Sequence, residues 1–161
     1  MNFEHLIQIN DASNPALPVL TRDQLWSGLV LRAEQPHLFV IGLDRCVMLD
    51  RTESTLEREL HFGQAVVRDR VAFTSGESVR YDIHAADGEI GGSLTMQIEE
   101  PEAGQLFLRF EYRTTLSTDE STEDARQTLG IVKEAYRSAD IDTVRLIREY
   151  AQGRQDPHPL H

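Results

Sequence analysis

Hydrophobic and polar residues alternate with a period of two over the middle of the chain, from Cys46 to about Thr115. Such alternation is typical of strands with one buried face and one solvated face. Short connections that contain Gly or Asp separate most of these runs, which favours antiparallel neighbours. We predict strands near residues 46–52, 55–62, 65–73, 78–85, 92–99 and 105–115, and another at residues 3–10.

A helix is predicted between the first strand and this region. Thr21 is followed three residues later by Gln24, which is the spacing of a capping box, where each side chain bonds to the other residue's free backbone N–H. The helix is expected to stop before Pro36. Residues 37–43 are short and mostly apolar, and we predict a second small helix there.

The C-terminal part carries a longer apolar stripe with helical spacing. Ser121 with Asp124 three residues later predicts the start of a helix. A helix of about 30 residues would be roughly 45 Å long, against about 27 Å for an eight-residue strand, so it can cross the whole sheet. The stripe comprises Ala125, Leu129, Val132, Tyr136, Ala139, Val144, Ile147 and Ala151.

Together these elements predict an α+β fold in which a long antiparallel sheet wraps the C-terminal helix over a closed pocket. A chain of 161 residues fits one domain with one core, which we place at residues 1–152. Residues 153–161 show no periodicity and are expected to form a mobile tail. The predicted pocket floor comprises Leu94, Met96, Ile98, Leu108 and Phe110, and the predicted lid Leu129, Val132 and Tyr136.

One hairpin predicts a strand register. Gly63-Gln64 between two strands is typical of a two-residue type II′ turn, which fixes the residues that face each other. Three of the resulting pairs join opposite charges, and each such pair contributes about 0.2–1 kcal/mol. The predicted partners are Phe62 and Ala65, Leu60 and Val67, Arg58 and Asp69, Leu56 and Val71, Glu59 and Arg68, and Glu57 and Arg70.

Arg58 and Asp69 are the charged pair on the apolar face of this hairpin. Two charges on such a face need each other, because either one alone would carry a heavy desolvation cost. The pair is either a structural bridge or an anchor that orients a ligand in an apolar cavity. Both interpretations stay open at this point.

Other candidate chemistry is sparse. Tyr81, Tyr112 and Tyr136 fall on inward faces, where each hydroxyl bonds either to the core or to a ligand carbonyl. The histidines show no metal-like spacing and no phosphate-binding loop is present, so we predict neither a metal nor a cofactor. The catalytic candidates are Asp69 and Arg58, and the predicted ligand-binding residues are Arg58, Asp69, Tyr81, Met96, Leu108, Phe110, Tyr112 and Tyr136.

The charge balance narrows the range of partners. The chain has 27 acidic and 16 basic residues, for a net charge of −11, and no basic cluster. Such a surface repels phosphate backbones and anionic lipid, so we expect no nucleic acid and no membrane partner. The start, MNFEHLIQIN, lacks the pattern of a signal or transit peptide. With a single cysteine, Cys46, the expected location is the reducing cytoplasm.

Several phrases resemble the AtaL-like family of the START-like (SRPBCC) superfamily, which contains the polyketide cyclases. They are LTRDQLWSGLVLRAEQP, LERELHFGQAVVRDRV, GGSLTMQIEEPE, LFLRFEY and AYRSADIDTVRLIREYA. The resemblance covers roughly residues 2–152 and implies a helix-grip fold. In that fold a seven-stranded curved sheet grips the C-terminal helix over a hydrophobic cavity, with two short helices after strand 1. It supplies no catalytic residues, since proteins of this fold carry lipids, sense hormones or close polyketide rings.

Three functions are compatible with these expectations. The first is binding of a small hydrophobic or aromatic ligand in the cavity. The second is an enzyme of cyclase, dehydratase or isomerase type, in which Asp69 is the acid or base beside Arg58 and Tyr81 or Tyr112 polarises a carbonyl. The third is a protein-interaction module, which predicts an exposed apolar patch and little internal cavity. A homodimer stays open under all three.

Overall fold

The computed structural model describes residues 1–86 and 88–153. Seven strands form one antiparallel sheet in the order β1-β7-β6-β5-β4-β3-β2, and a long helix follows the last strand, so the predicted α+β helix-grip fold is confirmed. The elements are β1 (Asn2–Gln8), α1 (Arg22–Glu34), a 3-10 helix (Pro36–Leu38), β2 (Arg45–Arg51), β3 (Thr55–Phe62), β4 (Ala65–Thr74), β5 (Ser78–His84), β6 (Gly92–Glu102), β7 (Gln105–Thr114) and α2 (Glu123–Ala151).

The register of the β3–β4 hairpin is confirmed at every predicted pair, including Arg58 with Asp69 and Leu60 with Val67. Gly63 has φ +60°, the left-handed region that a type II′ turn requires at its first central position. The hairpin therefore places Arg58 and Asp69 side by side on the concave face.

Helix α1 begins with the predicted capping box. The Gln24 backbone N–H donates to Thr21 Oγ1 at 3.1 Å, and the Thr21 N–H donates to Gln24 Oε1 at 2.9 Å. The second small helix predicted at residues 37–43 is only a 3-10 helix of three residues, Pro36–Leu38. Proline starts this turn, and Gly42 at φ +84° leaves helical geometry soon afterwards.

Helix α2 begins one residue later than the predicted cap implies. The N-cap is Thr122, whose hydroxyl accepts from the Ala125 backbone N–H at 3.0 Å, so the predicted cap at Ser121 is wrong. Threonine and serine both serve as N-caps, and the stretch STDEST offers both.

The buried face of α2 also differs from the prediction at one position. Ala139 is exposed, and its neighbour Asp140 is buried with 1% of its surface accessible. The steps from Tyr136 to Asp140 and from Asp140 to Val144 are both four residues, which keeps all three on one helix face. Ala139 to Val144 is a step of five and leaves that face.

One hydrophobic cluster joins the sheet to both helices, with Leu29 from α1, Phe110 from β7 and Ile147 from α2 among its buried members. The helices meet at Gly28, where an added Cβ would lie 2.4 Å from Ile147 Cγ2, so only glycine permits this approach. No helix in the described ranges is long and apolar enough to span a membrane. Of the predicted tail, residues 154–161 lie outside the described residues.

Candidate functional site

A cavity of about 330 Å³ lies between the sheet, the end of α1 and the middle of α2. Its volume is at the lower end of the range of roughly 300–1,000 Å³ found for ligand pockets. The apolar side chains on its wall are Pro36, Val40, Leu60, Phe62, Val67, Ile83, Ile90 and Leu94. The polar and aromatic ones are Arg32, Arg58, Asp69, Tyr81, Ser93, Tyr112, Thr114 and Tyr136.

The cavity has a mouth at one end of the sheet. Ile83 and Ile90 line it and are also 42% and 56% exposed. A side chain that faces both the cavity and solvent marks an opening between them. The pocket predicted as closed is therefore accessible to a ligand.

Five of the eight predicted ligand-binding residues meet in this cavity: Arg58, Asp69, Tyr81, Tyr112 and Tyr136. The other three, Met96, Leu108 and Phe110, are fully buried in the central cluster and do not line it. Of the predicted floor and lid, Leu94 and Tyr136 line the cavity. The cavity lies over β3, β4, β5 and the adjoining ends of β6 and β7, whereas Met96, Leu108 and Phe110 lie further along β6 and β7 in the core cluster.

Arg58 and Asp69 form a bidentate ion pair on the cavity wall. Arg58 Nε donates to Asp69 Oδ1 at 2.8 Å and Nη2 donates to Oδ2 at 2.6 Å, while Nη1 donates to the Ala33 carbonyl at 2.8 Å. Burial alone would lower the pKa of Arg58, but the hydrogen bond and charge of Asp69 raise it. The pair thus ties β3, β4 and α1 together, with all three guanidinium nitrogens engaged.

Tyr81 and Arg32 carry unpaired polar atoms at the same wall. The Tyr81 hydroxyl and Arg32 Nε are buried and find no hydrogen-bond partner in the described part of the chain. The Arg32 Cζ lies 5.0 Å from the centroid of the Tyr81 ring, and the Arg58 Cζ lies 5.2 Å from it. An unpaired buried polar group costs roughly 1–3 kcal/mol, so such groups in a cavity point to a partner outside the chain.

Arg32 was not among the sequence-predicted site residues, although a signal for it existed. It follows Leu25 by seven residues and Leu29 by three, which places it on the buried stripe of α1. A charged residue at such a position points toward the interior rather than toward solvent.

A buried hydrogen-bond network lies behind the cavity. The Tyr112 hydroxyl donates to Asp140 Oδ1 and Oδ2 at 2.7 and 2.8 Å, and His5 Nε2 lies 2.6 Å from Oδ2. Burial raises the pKa of Asp140. Burial and the nearby Asp140 charge also raise the pKa of Tyr112, whose ring stacks on Tyr136 with centroids 4.1 Å apart. Asp140 and His5 were not among the sequence-predicted site residues. The steps of four from Tyr136 to Asp140 and from Asp140 to Val144 were the available signal for Asp140.

The chain matches one family model over most of its length. The family model described as acetylaranotin biosynthesis cluster protein L, AtaL, matches residues 7–154. The chain belongs to the AtaL family. The match confirms the resemblance seen in the sequence phrases and covers both helices and all but the start of the sheet. No curated protein matches this AtaL family member by sequence.

Solved structures of similar shape share the fold of this AtaL family member. The di-domain aromatase/cyclase StfQ of the steffimycin pathway matches with a TM-score of 0.69 at 13% identity, over 95% of this chain and 51% of its own. The ZhuI aromatase/cyclase from Streptomyces sp. R1128 matches with a TM-score of 0.61 at 17% identity, over 93% and 95%. The Aha1 dimer from Colwellia psychrerythraea matches with a TM-score of 0.55 at 14% identity, over 88% and 91%. The chain spans about half the length of StfQ, and identities this low establish the fold alone.

The raised pKa of Asp140 predicts how the stability of this AtaL family protein varies with pH. The folded state holds this proton more tightly than the unfolded chain, where the pKa is near its ordinary 3.8. The stabilisation that protonated Asp140 provides is therefore complete below pH 3.8. It is lost as the pH rises through the folded-state pKa of Asp140. We expect the free energy of unfolding of the wild type, minus that of Asp140→Asn, to fall as pH rises above about 4. Urea unfolding across a pH series measures this difference.

The control for this experiment removes the histidine of the network. The same comparison in a His5→Gln background separates Asp140 from the histidine that contacts it at 2.6 Å. A difference that rises with pH in both backgrounds would show that Asp140 is ionised and favourably paired in the folded state.

The other histidines and acids of the described ranges do not assemble into a metal site. No group of three His, Cys, Asp or Glu side chains within residues 1–86 and 88–153 is arranged to hold a metal ion. His61 and His84 lie on the convex face, 2.8 and 3.3 Å from carboxylate oxygens of Glu59 and Glu57.

Proposed function

We propose that this AtaL family protein binds a small hydrophobic or aromatic molecule in the cavity between β3, β4, β5 and α2. The observation that carries the proposal is a cavity of about 330 Å³ with a mouth, an apolar wall and an unpaired Tyr81 hydroxyl. Ligand sites typically combine an apolar lining with a few well-placed polar groups.

The wall supplies both affinity and orientation for such a ligand. Each Å² of apolar ligand surface that leaves water contributes about 25 cal/mol. Tyr136 from α2 and Phe62 from β3 offer aromatic surface to a planar ligand. The Tyr81 hydroxyl provides a hydrogen-bond donor that no group in the described part of the chain uses.

The proposal is tested by native mass spectrometry together with thermal-shift measurements. The purified chain is screened against fatty acids, naphthalene and anthracene derivatives and small polyketide-like phenols. We expect a one-to-one complex with at least one aromatic class and a melting temperature that rises with ligand concentration. If no compound forms a complex and none raises the melting temperature, the proposal fails.

A second candidate is an enzyme of cyclase, dehydratase or isomerase type. Two observations favour it: StfQ and ZhuI, which share the fold, are described as aromatase/cyclases, and the Tyr112 side chain lines the cavity with Asp140 behind it. In the original hypothesis Asp69 is the acid or base beside Arg58. Both oxygens of Asp69 accept from Arg58, so a proton transfer there would require the ion pair to open.

The remaining expectations concern an interaction module, the location of the protein and a homodimer. An interaction module predicts little internal cavity, which the volume of about 330 Å³ argues against. Of the exposed apolar side chains, Val19 and Ile41 lie in the loops before and after α1, and Ile131 lies on α2. We also propose a cytoplasmic location, which the free thiol of Cys46 supports. Light scattering on the purified chain tests the homodimer.

A further inference from the structure

The two guanidinium groups of the cavity differ in how their charge is neutralised. Arg58 has Asp69 at 2.6 Å and uses its three nitrogens as donors to protein acceptors. Arg32 forms no ion pair with any described residue, and its buried Nε has no acceptor. The cavity therefore contains one positive charge without a contacting counterion.

Asp140, the acidic residue whose pKa the Arg32 charge affects, does not neutralise Arg32. Asp140 is influenced by the Arg32 charge, but both of its oxygens accept from the Tyr112 hydroxyl and Oδ2 also contacts His5 Nε2. Its carboxylate is thus occupied behind the cavity wall, while the Arg32 side chain lines the cavity itself. The free donors of Arg32 remain available to a molecule in the cavity.

Tyr81 adds a second donor at the same place. The residue is 5% exposed, its hydroxyl is unpaired, and the Arg32 guanidinium lies over its ring at 5.0 Å. A guanidinium and a hydroxyl that both donate into one space suit an oxygen with several lone pairs and a negative charge. The rest of the wall is apolar, so this oxygen would belong to a molecule with a hydrophobic body.

We propose that Arg32 and Tyr81 form the polar end of the ligand site and select hydrophobic ligands that carry a carboxylate over their neutral isosteres. This inference rests on the proposed function and specifies the chemical class of its ligand. Arg32 provides the charge preference, and Tyr81 provides a hydrogen bond to either an acid or an amide oxygen.

The net charge of the protein makes a preference for acids informative. A net charge of −11 disfavours anions at the surface, so a preference for acids has to arise from a local site. The probes are matched pairs of graded size: benzoate and benzamide, naphthoate and naphthamide, and anthracene carboxylate and its carboxamide. Isothermal titration calorimetry at pH 7 gives both dissociation constants of each pair.

The wild type is expected to bind the best-fitting acid roughly tenfold or more tightly than its amide. Arg32→Gln should reduce this ratio to near one, while Arg32→Lys should preserve a preference for the acid. Tyr81→Phe should weaken acid and amide by similar factors. Arg80→Gln is the matched control, because it removes the same charge next to Tyr81 but on the exposed convex face.

Each outcome has a defined meaning. Equal affinity of the wild type for acid and amide overturns this inference and leaves the proposed binding function standing. An acid preference that survives Arg32→Gln, or disappears in Arg80→Gln, overturns the assignment to Arg32. If no member of any pair binds, and the wider screen also finds no ligand, both the inference and the proposed function fail. Melting curves of each variant establish that it is folded.

Discussion

Replacing Asp69 by Asn is expected to lower the free energy of unfolding by about 3–5 kcal/mol. The change leaves the guanidinium of Arg58, a residue that is 3% exposed, without its counterion and turns an amide N–H₂ toward its donors. It also weakens the link to the Ala33 carbonyl, by which Arg58 fixes the end of α1. Urea unfolding of wild type and variant measures the loss.

Two further variants show whether the loss comes from the buried pair. The double variant Arg58→Met with Asp69→Leu removes both charges and should recover most of the stability, because apolar residues of similar volume replace the pair. Glu57→Gln on the same hairpin is the matched control. Its partners Arg70 and His84 lie on the exposed face, so a change within about 1 kcal/mol is expected.

The Asp69→Asn variant also shows whether Asp69 belongs to a structural ion pair or acts as a catalytic group. A loss below about 1 kcal/mol would contradict a structural role for the pair. If Asp69→Asn stayed fully stable and a ring-closing or dehydrating activity disappeared, the enzyme hypothesis would replace the binding hypothesis.

Filling the cavity with a tryptophan is expected to have the largest effect on ligand affinity. Val67 lines the cavity next to Leu60 on the neighbouring strand, so Val67→Trp places an indole in the space a ligand would occupy. The dissociation constant should rise on the order of 100-fold, equivalent to about 2.8 kcal/mol. Calorimetry with the best ligand from the screen measures this change.

The control lies one residue away on the same strand. Val66 is 49% exposed on the opposite face, so Val66→Trp adds the same side chain to solvent and should leave the affinity unchanged. Because the indole of Val67→Trp fills empty space, the variant should keep a cooperative melting transition. Unchanged affinity in a folded Val67→Trp protein would mean that the ligand binds elsewhere.

Local signals in the sequence predicted the fold and the ion pair well. The Gly63-Gln64 turn allows one register, and that register alone brought Arg58 opposite Asp69. The Thr21 and Gln24 capping box fixed the start of α1 in the same way. These features depend on residues close in sequence, so chain geometry determines them without knowledge of the tertiary packing.

The location of the cavity could not be predicted in this way. Whether the concave face over Phe110 is filled or open depends on how side chains of both helices pack, which is a property of distant segments. Asp140 and Arg32 escaped notice because a charged residue on a helix is normally solvated. Their positions on the buried stripes, at steps of three and four from apolar neighbours, were the available signal.

The most direct test of the binding site is a crystal structure of the protein grown with the tightest ligand from the screen. We expect one molecule in the cavity between β3, β4, β5 and α2, with an oxygen within hydrogen-bonding distance of the Tyr81 hydroxyl and the Arg32 guanidinium. A ligand bound outside this cavity, or a cavity closed by rearranged side chains while the ligand is bound, would contradict the account.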